Sequence, residues 1–257
     1  MDAGALTRGY DLRTAWSSVW ALMADPSDPA PVFRIINALP GESFARTAAR
    51  IRQDPASAHL LRDKRSLAEA LCDHEALRKL PEGTLGASFV TWCERENIDT
   101  NDLIDTDARV GWAERSSVDA DIAWVRTWYR DMHDLWHIVT GYDTDLLGEP
   151  SLVALQAVQA RSPGHAFIAS MVFANGGLFP GMRGAILDAV RRARRIAWLP
   201  GVDWFAMLPL PLDEVRRRVR VDTLPGYTRL RLSDMPGGKL PEPPLARLFS
   251  RSKADRS

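Results

Sequence analysis

Apolar residues recur along most of this chain at spacings of three and four, the repeat that gathers them on one side of an α-helix. Strict alternation, the mark of half-buried strands, is scarce, and there is no internal repeat. The pattern predicts helices over residues 10–23, ended by the Asp25-Pro26 break, and over 31–39. A longer helix is predicted over 41–61, with Ser43 able to accept from the free amides of its first turn. Another spans 66–78, also opened by a serine, and one over 87–97 follows the turn-forming run Leu80-Pro81-Glu82-Gly83-Thr84-Leu85-Gly86.

Residues 117–140 read as one helix with a single apolar stripe of Ile122, Val125, Tyr129, Met132, Trp136 and Val139. Gly141 is suited to end it. A loop over 142–148 leads to a helix that Glu149 opens, with Pro150 in the first turn, where a missing amide costs nothing. Residues 183–199 form a basic amphipathic stretch, Arg191, Arg192, Arg194 and Arg195 lying beside Ile186, Val190, Ile196 and Trp198. The fold expected is all-α: a single multi-helix domain over residues 1–232 that carries a helix–loop–helix. A Pro/Gly-rich, loosely ordered tail is expected over 233–257.

Composition narrows the function classes. With 33 basic and 33 acidic residues the formal net charge is zero, which gives no global electrostatic reason to bind nucleic acid. Hydrophobic residues at 46% and charged residues at 26% are ordinary for a packed domain. The two cysteines, Cys72 and Cys93, have no CxxC spacing and are expected to be buried thiols in a reducing compartment. The first ten residues lack a charged-then-apolar signal pattern. The longest uncharged run, 166–182, is interrupted by Asn175, Gly176, Gly177 and Pro180 and falls short of the ~20 apolar residues of a spanning helix. The expectation is a cytoplasmic protein with no transmembrane helix, soluble or attached peripherally to a membrane.

Candidate chemistry sits in His133-Asp134-Leu135-Trp136-His137. Histidines at i and i+4 project from one helical face, so both rings can reach one cation. At roughly 100° per residue, Asp134 falls about 60° beyond His137, which puts a carboxylate on the same broad face. Glu149, opening the next helix, can fold back as a fourth ligand. Nitrogen and oxygen donors without thiolate suit zinc and also iron or manganese. Alternatively, Asp134 is an outer-sphere group that orients a histidine. Arg126, Arg130, His133 and His137 step by four, three and four and share a stripe. Two guanidinium groups there suit a substrate carboxylate; alternatively Arg130 pairs with Asp134 one turn on.

These residues resemble the ubiquinone (coenzyme Q) biosynthesis protein 4 family, whose hallmark is His-Asp-x-x-His, eleven residues, then Glu. The chain has His133-Asp134-Leu135-Trp136-His137, eleven residues and Glu149. Tyr129-Arg130-Asp131-Met132 resembles the family's lead-in, and Thr140-Gly141 and Gly148-Glu149 match as well. Leu80-Pro81-Glu82-Gly83-Thr84-Leu85-Gly86 and Pro211-Leu212-Asp213-Glu214-Val215-Arg216 resemble two further family motifs. The likeness covers about residues 30–221. It implies an all-helical fold, a divalent metal, usually zinc, on His133, Asp134, His137 and Glu149, and peripheral membrane association, here on the inner face of a bacterial membrane. It also implies a polyprenylated ring substrate, oxidative decarboxylation at ring carbon one, and a role in organising other ubiquinone-biosynthesis enzymes. The arginine stripe would suit that substrate's carboxylate, with Asp134, Arg130 and Arg126 as catalytic candidates. The chain departs from the family pattern at Trp128, Val153 and Gln156, where the family tends to have Arg, Lys and Glu. It has Leu208-Pro209-Leu210 where the family has an aromatic-acidic stretch.

Three functions follow. One is a metal-dependent enzyme on a prenylated ring precursor, and another is a non-catalytic lipid-binding scaffold with a structural metal. The third, a phosphoester hydrolase, lacks the further His and Asp it needs. Residues 166–179 and the basic stretch after them either meet a lipid surface or form a core helix beside a solvated face. A homodimer is compatible with all of this.

Overall fold

A computed structural model describes residues 9–110, 119–176, 179–235, 237 and 240. Among them every regular element is helical, apart from one isolated antiparallel bridge between Thr84 and Pro211. Helices α1 (Leu12–Ala24) and α2 (Ala30–Ala38) pack on each other at one end of the molecule. The Asp11 carboxylate accepts from the Thr14 amide and so caps α1. The predicted 41–61 helix is two, α3 (Ser43–Gln53) and α4 (Ala58–Asp63). Pro55 separates them, since the residue before a proline is pushed out of the helical region: Asp54 is extended, at ψ 112. Ser43 begins α3 and gives no cap; its hydroxyl donates to the Pro40 carbonyl.

The predicted 66–78 helix is likewise two, α5 (Leu67–Cys72) and α6 (His74–Arg78), capped by Ser66 and Asp73. Helix α7 (Leu85–Glu96) starts at the Thr84 cap, and a further helix outside those expected, α8 (Asp102–Arg109), follows it. The single helix expected over 117–140 divides into α9 (Ala120–Asp131) and α10 (His133–Thr140) at Met132, whose ψ of −4 flattens the turn. Gly141, at φ +78, ends α10 as expected.

Helix α11 (Gly148–Ala160) runs through the centre and packs against both α12 (Pro163–Asn175) and α13 (Met182–Ala193). Two short helices, α14 (Trp204–Met207) and α15 (Leu212–Arg218), complete the set. The main core holds Trp128, Trp136, Trp204, Phe89 and Leu135; a smaller one joins α1, α2, α11 and α12 through Val19, Ile35, Val153 and Ile168.

The apolar 166–179 run is largely α12, seated in that smaller core against α2 and α11. Arg192 of the basic helix bonds to Asp188 and to the carbonyls of Thr223 and Leu224. No helix of the described residues is long and apolar enough to cross a membrane. Cys93 is buried, but Cys72 is exposed, which corrects the expectation for that thiol. Of the expected tail, only Ser233, Asp234, Met235, Gly237 and Leu240 are described.

Candidate metal centre

His133 is the first residue of α10, His137 lies one turn on, and Glu149 is the second residue of α11. The loop between the two helices folds Glu149 back onto the histidines. His133 Nε2 and His137 Nε2 are 3.1 Å apart, and the Glu149 carboxylate oxygens lie 3.3 Å from His137 Nε2 and 3.7 Å from His133 Nε2. Donor atoms on a tetrahedral ion at about 2.0–2.2 Å stand about 3.3–3.6 Å from one another. The histidine pair and the nearer contact of each Glu149 oxygen lie close to that figure, and one donor atom from each of the three residues falls within 4.8 Å of the others, which makes the triad a candidate site for one small divalent cation.

Asp134 does not converge with the triad. It is buried, and with Arg130 and Asp131 it lines a small cavity against Ala68, Leu71 and Thr100. Burial raises its carboxyl above the usual carboxylate range, against the pull of His133 and His137.

Each histidine is held by its other nitrogen. His137 Nδ1 lies 2.8 Å from the Tyr142 carbonyl, to which it donates, and its ring stacks on Trp92 at 5.5 Å. His137 Nε2 is thereby left facing His133 and Glu149. His133 Nδ1 lies 3.0 Å from the Gln156 amide. Glu149 and Gln156 are seven residues apart, two turns of one helix, so they share a face. An amide can present either its NH2 or its oxygen, and the choice sets which nitrogen of His133 carries the proton. With the oxygen towards Nδ1–H, His133 Nε2 is free for a cation.

Electrostatics support the same assignment. Burial pushes the His137 imidazole down, but Glu149 and Asp134 outweigh it and raise the pKa to about 9. Burial likewise opposes the Glu149 charge, yet His137 and His133 hold this carboxylate well below its ordinary range. A proton on His137 thus stands where a cation would sit, and a metal would release it.

The tertiary structure gives both arginines of the stripe partners within the chain. Arg126 is 5% exposed and meets Asp107 of α8 bidentately, at 2.6 and 2.7 Å, with Asn37 at 3.3 Å. Arg130 pairs with the same Asp107 and with Asp131, not with Asp134. The carboxylate between the two guanidinium groups is therefore the chain's own. This partner comes from a different helix, so spacing along α9 does not reveal it.

The two outlying motifs support α10. Leu85 and Gly86 amides donate to the Leu210 and Leu208 carbonyls, and Leu212 donates to the Gly83 carbonyl, so the 80–86 run docks beside 208–212. From α15, Arg216 reaches the carbonyls of Val139 and Ile138 at 3.2 and 2.9 Å, satisfying the open end of α10 with a cation. The signal for Arg216 was its place at the end of a recognised motif, and the signal for Gln156 was its seven-residue step from Glu149.

Residues 10–225 match the family model described as coenzyme Q (ubiquinone) biosynthesis protein Coq4. The chain belongs to this family. Among curated Coq4 relatives, the mitochondrial ubiquinone biosynthesis protein of Aspergillus clavatus is 28% identical over 183 residues, covering 69% of this chain and 61% of that protein. The counterpart in Meyerozyma guilliermondii is 26% identical over 223 residues, 79% of this chain and 64% of that protein. The chain thus spans about three fifths of the length of the first Coq4 relatives it matches. A crystal structure from Nostoc punctiforme PCC 73102 superposes with a TM-score of 0.58 at 20% identity, over 84% of this chain and all of that one, and has the same fold.

Proposed function

We propose that this Coq4-family chain binds one divalent cation, zinc by donor type, through His133, His137 and Glu149, with Asp134 as the adjacent buried carboxylate. We further propose that it acts in ubiquinone biosynthesis on a polyprenylated ring precursor, in the oxidative decarboxylation at ring carbon one. The observation that carries this reading is the convergence of two Nε2 atoms and a carboxylate, one donor atom from each lying within 4.8 Å of the others. Glu149 is the most open of the three, its side chain 42% exposed, so the site is approachable from that side. Three protein donors leave a position for substrate or water, and an ion there would supply Lewis-acid polarisation of an oxygen. Around it the chain's own residues orient and desolvate. The Tyr142 carbonyl fixes His137, Gln156 fixes His133, and Trp92 covers the buried imidazole.

A second reading has a specific observation behind it. Arg126 and Arg130 are engaged by Asp107 and Asp131, so neither is held ready for a substrate carboxylate. That favours a scaffold which gathers the other biosynthetic enzymes at a membrane surface and uses the metal to hold α10 to α11. Elemental analysis of the purified chain is expected to find one divalent ion. His133→Ala and Glu149→Ala are expected to lose both the ion and ubiquinone formation in a dependent host, with a carboxylated precursor accumulating by mass spectrometry. Loss of ubiquinone without that precursor, alongside dispersal of the partner enzymes, would refute the decarboxylation reading and leave the scaffold.

A further inference from the structure

The segment after α15 returns across the molecule to the loop that joins the two ligand-bearing helices. It is anchored on the way by Arg192, which donates to the carbonyls of Thr223 and Leu224 at 2.5 and 3.3 Å. Leu224 and Pro225 then lie against Gly141, where a Cβ would come within 2.9 and 3.1 Å of them. Beyond this point the chain makes a ladder of polar contacts with the loop. The Asp143 amide donates to the Tyr227 hydroxyl at 2.9 Å, and that hydroxyl donates to the Asp145 carboxylate at 2.8 Å. The Leu230 amide reaches the other Asp145 oxygen at 3.1 Å, and the Leu146 amide reaches the Leu230 carbonyl at 2.9 Å. Arg229 pairs with Asp143 at 2.5 Å, and the Tyr227 ring stacks on that of Tyr142 at 6.1 Å.

The loop so held is the part of the chain that sets the metal ligands relative to each other. Its first residue after Gly141 is Tyr142, whose carbonyl orients His137. Its last residue before Glu149 is Gly148, where a Cβ would stand 2.5 Å from the Tyr227 oxygen and 2.0 Å from the Asp143 oxygen. The glycine therefore leaves the notch that the hydroxyl fills, one residue from a ligand. The family match ends at residue 225, so Tyr227, Arg229 and Leu230 lie beyond the segment that carries the family resemblance.

We infer that residues 221–231 are a strap that sets the spacing of His137 and Glu149, with Tyr227 as the positioning residue. The inference rests on the metal reading above. The test uses the full chain, comparing wild type with Tyr227→Phe and with Asp11→Ala, which removes a cap on the remote helix α1 and serves as the stability control. Zinc affinity is read by competition with a chromophoric chelator, the cobalt-substituted protein by its visible spectrum, and the loop by hydrogen exchange of the 142–148 amides. Groups that hydrogen-bond a ligand directly typically alter metal affinity ten- to a hundredfold, and Tyr227 acts one contact further out, so the low end of that range applies. Tyr227→Phe is expected to weaken zinc about tenfold, shift the cobalt bands and speed exchange in the loop. Asp11→Ala should lower the melting temperature and leave all three unchanged. If wild type binds zinc and Tyr227→Phe binds it equally with the same cobalt spectrum, the strap is overturned while the metal reading stands. If wild type itself binds neither ion, both are overturned.

Discussion

Gln156 offers the sharpest quantitative test of the metal centre. The residue is 3% exposed, and its side-chain amide meets His133 Nδ1 at 3.0 Å. Leucine has similar bulk but neither accepts nor donates, so Gln156→Leu removes the one contact that fixes the ring's tautomer. The adjacent Tyr129 bond is made to the Gln156 backbone carbonyl and survives the change. Removing an outer-sphere partner of a ligating histidine costs about ten- to a hundredfold in affinity, or about 1.4–2.7 kcal/mol. Gln156→Glu should act in the opposite direction, because a carboxylate only accepts and so holds the proton on Nδ1 with Nε2 free. The assay is chelator competition for zinc at fixed pH, with circular dichroism to establish that each variant is folded. A leucine variant within about threefold of wild type, or a glutamate variant weaker than the leucine one, would show that Gln156 does not govern His133 and that the tautomer argument is wrong.

Two further expectations concern stability. Asp107→Ala strips the shared carboxylate from the buried Arg126 and the part-buried Arg130 and should cost about 3–5 kcal/mol, read as a lower urea midpoint; a loss under about 1 kcal/mol would mean the cluster is not a structural keystone. In the metal-free chain, the His137 pKa is raised to about 9. This gives stability fully present below the unfolded value near 6.5 and lost as pH rises through about 9. Glu149 is shifted down, so its share is present above about 4.3 and fades as pH falls further. The pair should therefore stabilise most between about pH 4.3 and 6.5. The melting temperature of wild type minus that of Glu149→Gln, followed across pH, should peak in this window. A difference that instead grows between pH 7 and 10 would reverse the assignment.

The apolar spacing of three and four was enough for an all-helical chain, because a helix's buried face is written in its own local sequence. Local chemistry also sufficed for the end of α10 at Gly141 and for a helix beginning beside Glu149. The motif spacing identified the two histidines and the carboxylate that the tertiary structure brings together. Periodicity does not register interruptions of one to four residues, so the breaks at Pro55, Asp73 and Met132 divided three predicted helices.

The site's electrostatics lay outside the sequence altogether. Arg126 and Arg130 share a stripe with the histidines by spacing, yet a buried charge takes whichever partner the fold delivers, and that was Asp107 from α8. Gln156, Arg216 and Tyr227 matter for the same reason. Each holds a ligand, its helix or its loop across 23 or more residues of chain (Gln156 to His133 by 23, Arg216 to Val139 by 77, Tyr227 to Asp143 by 84). The ligand types at the metal centre are a property of local sequence; their separation, tautomers and charge are decided only when distant segments close around them.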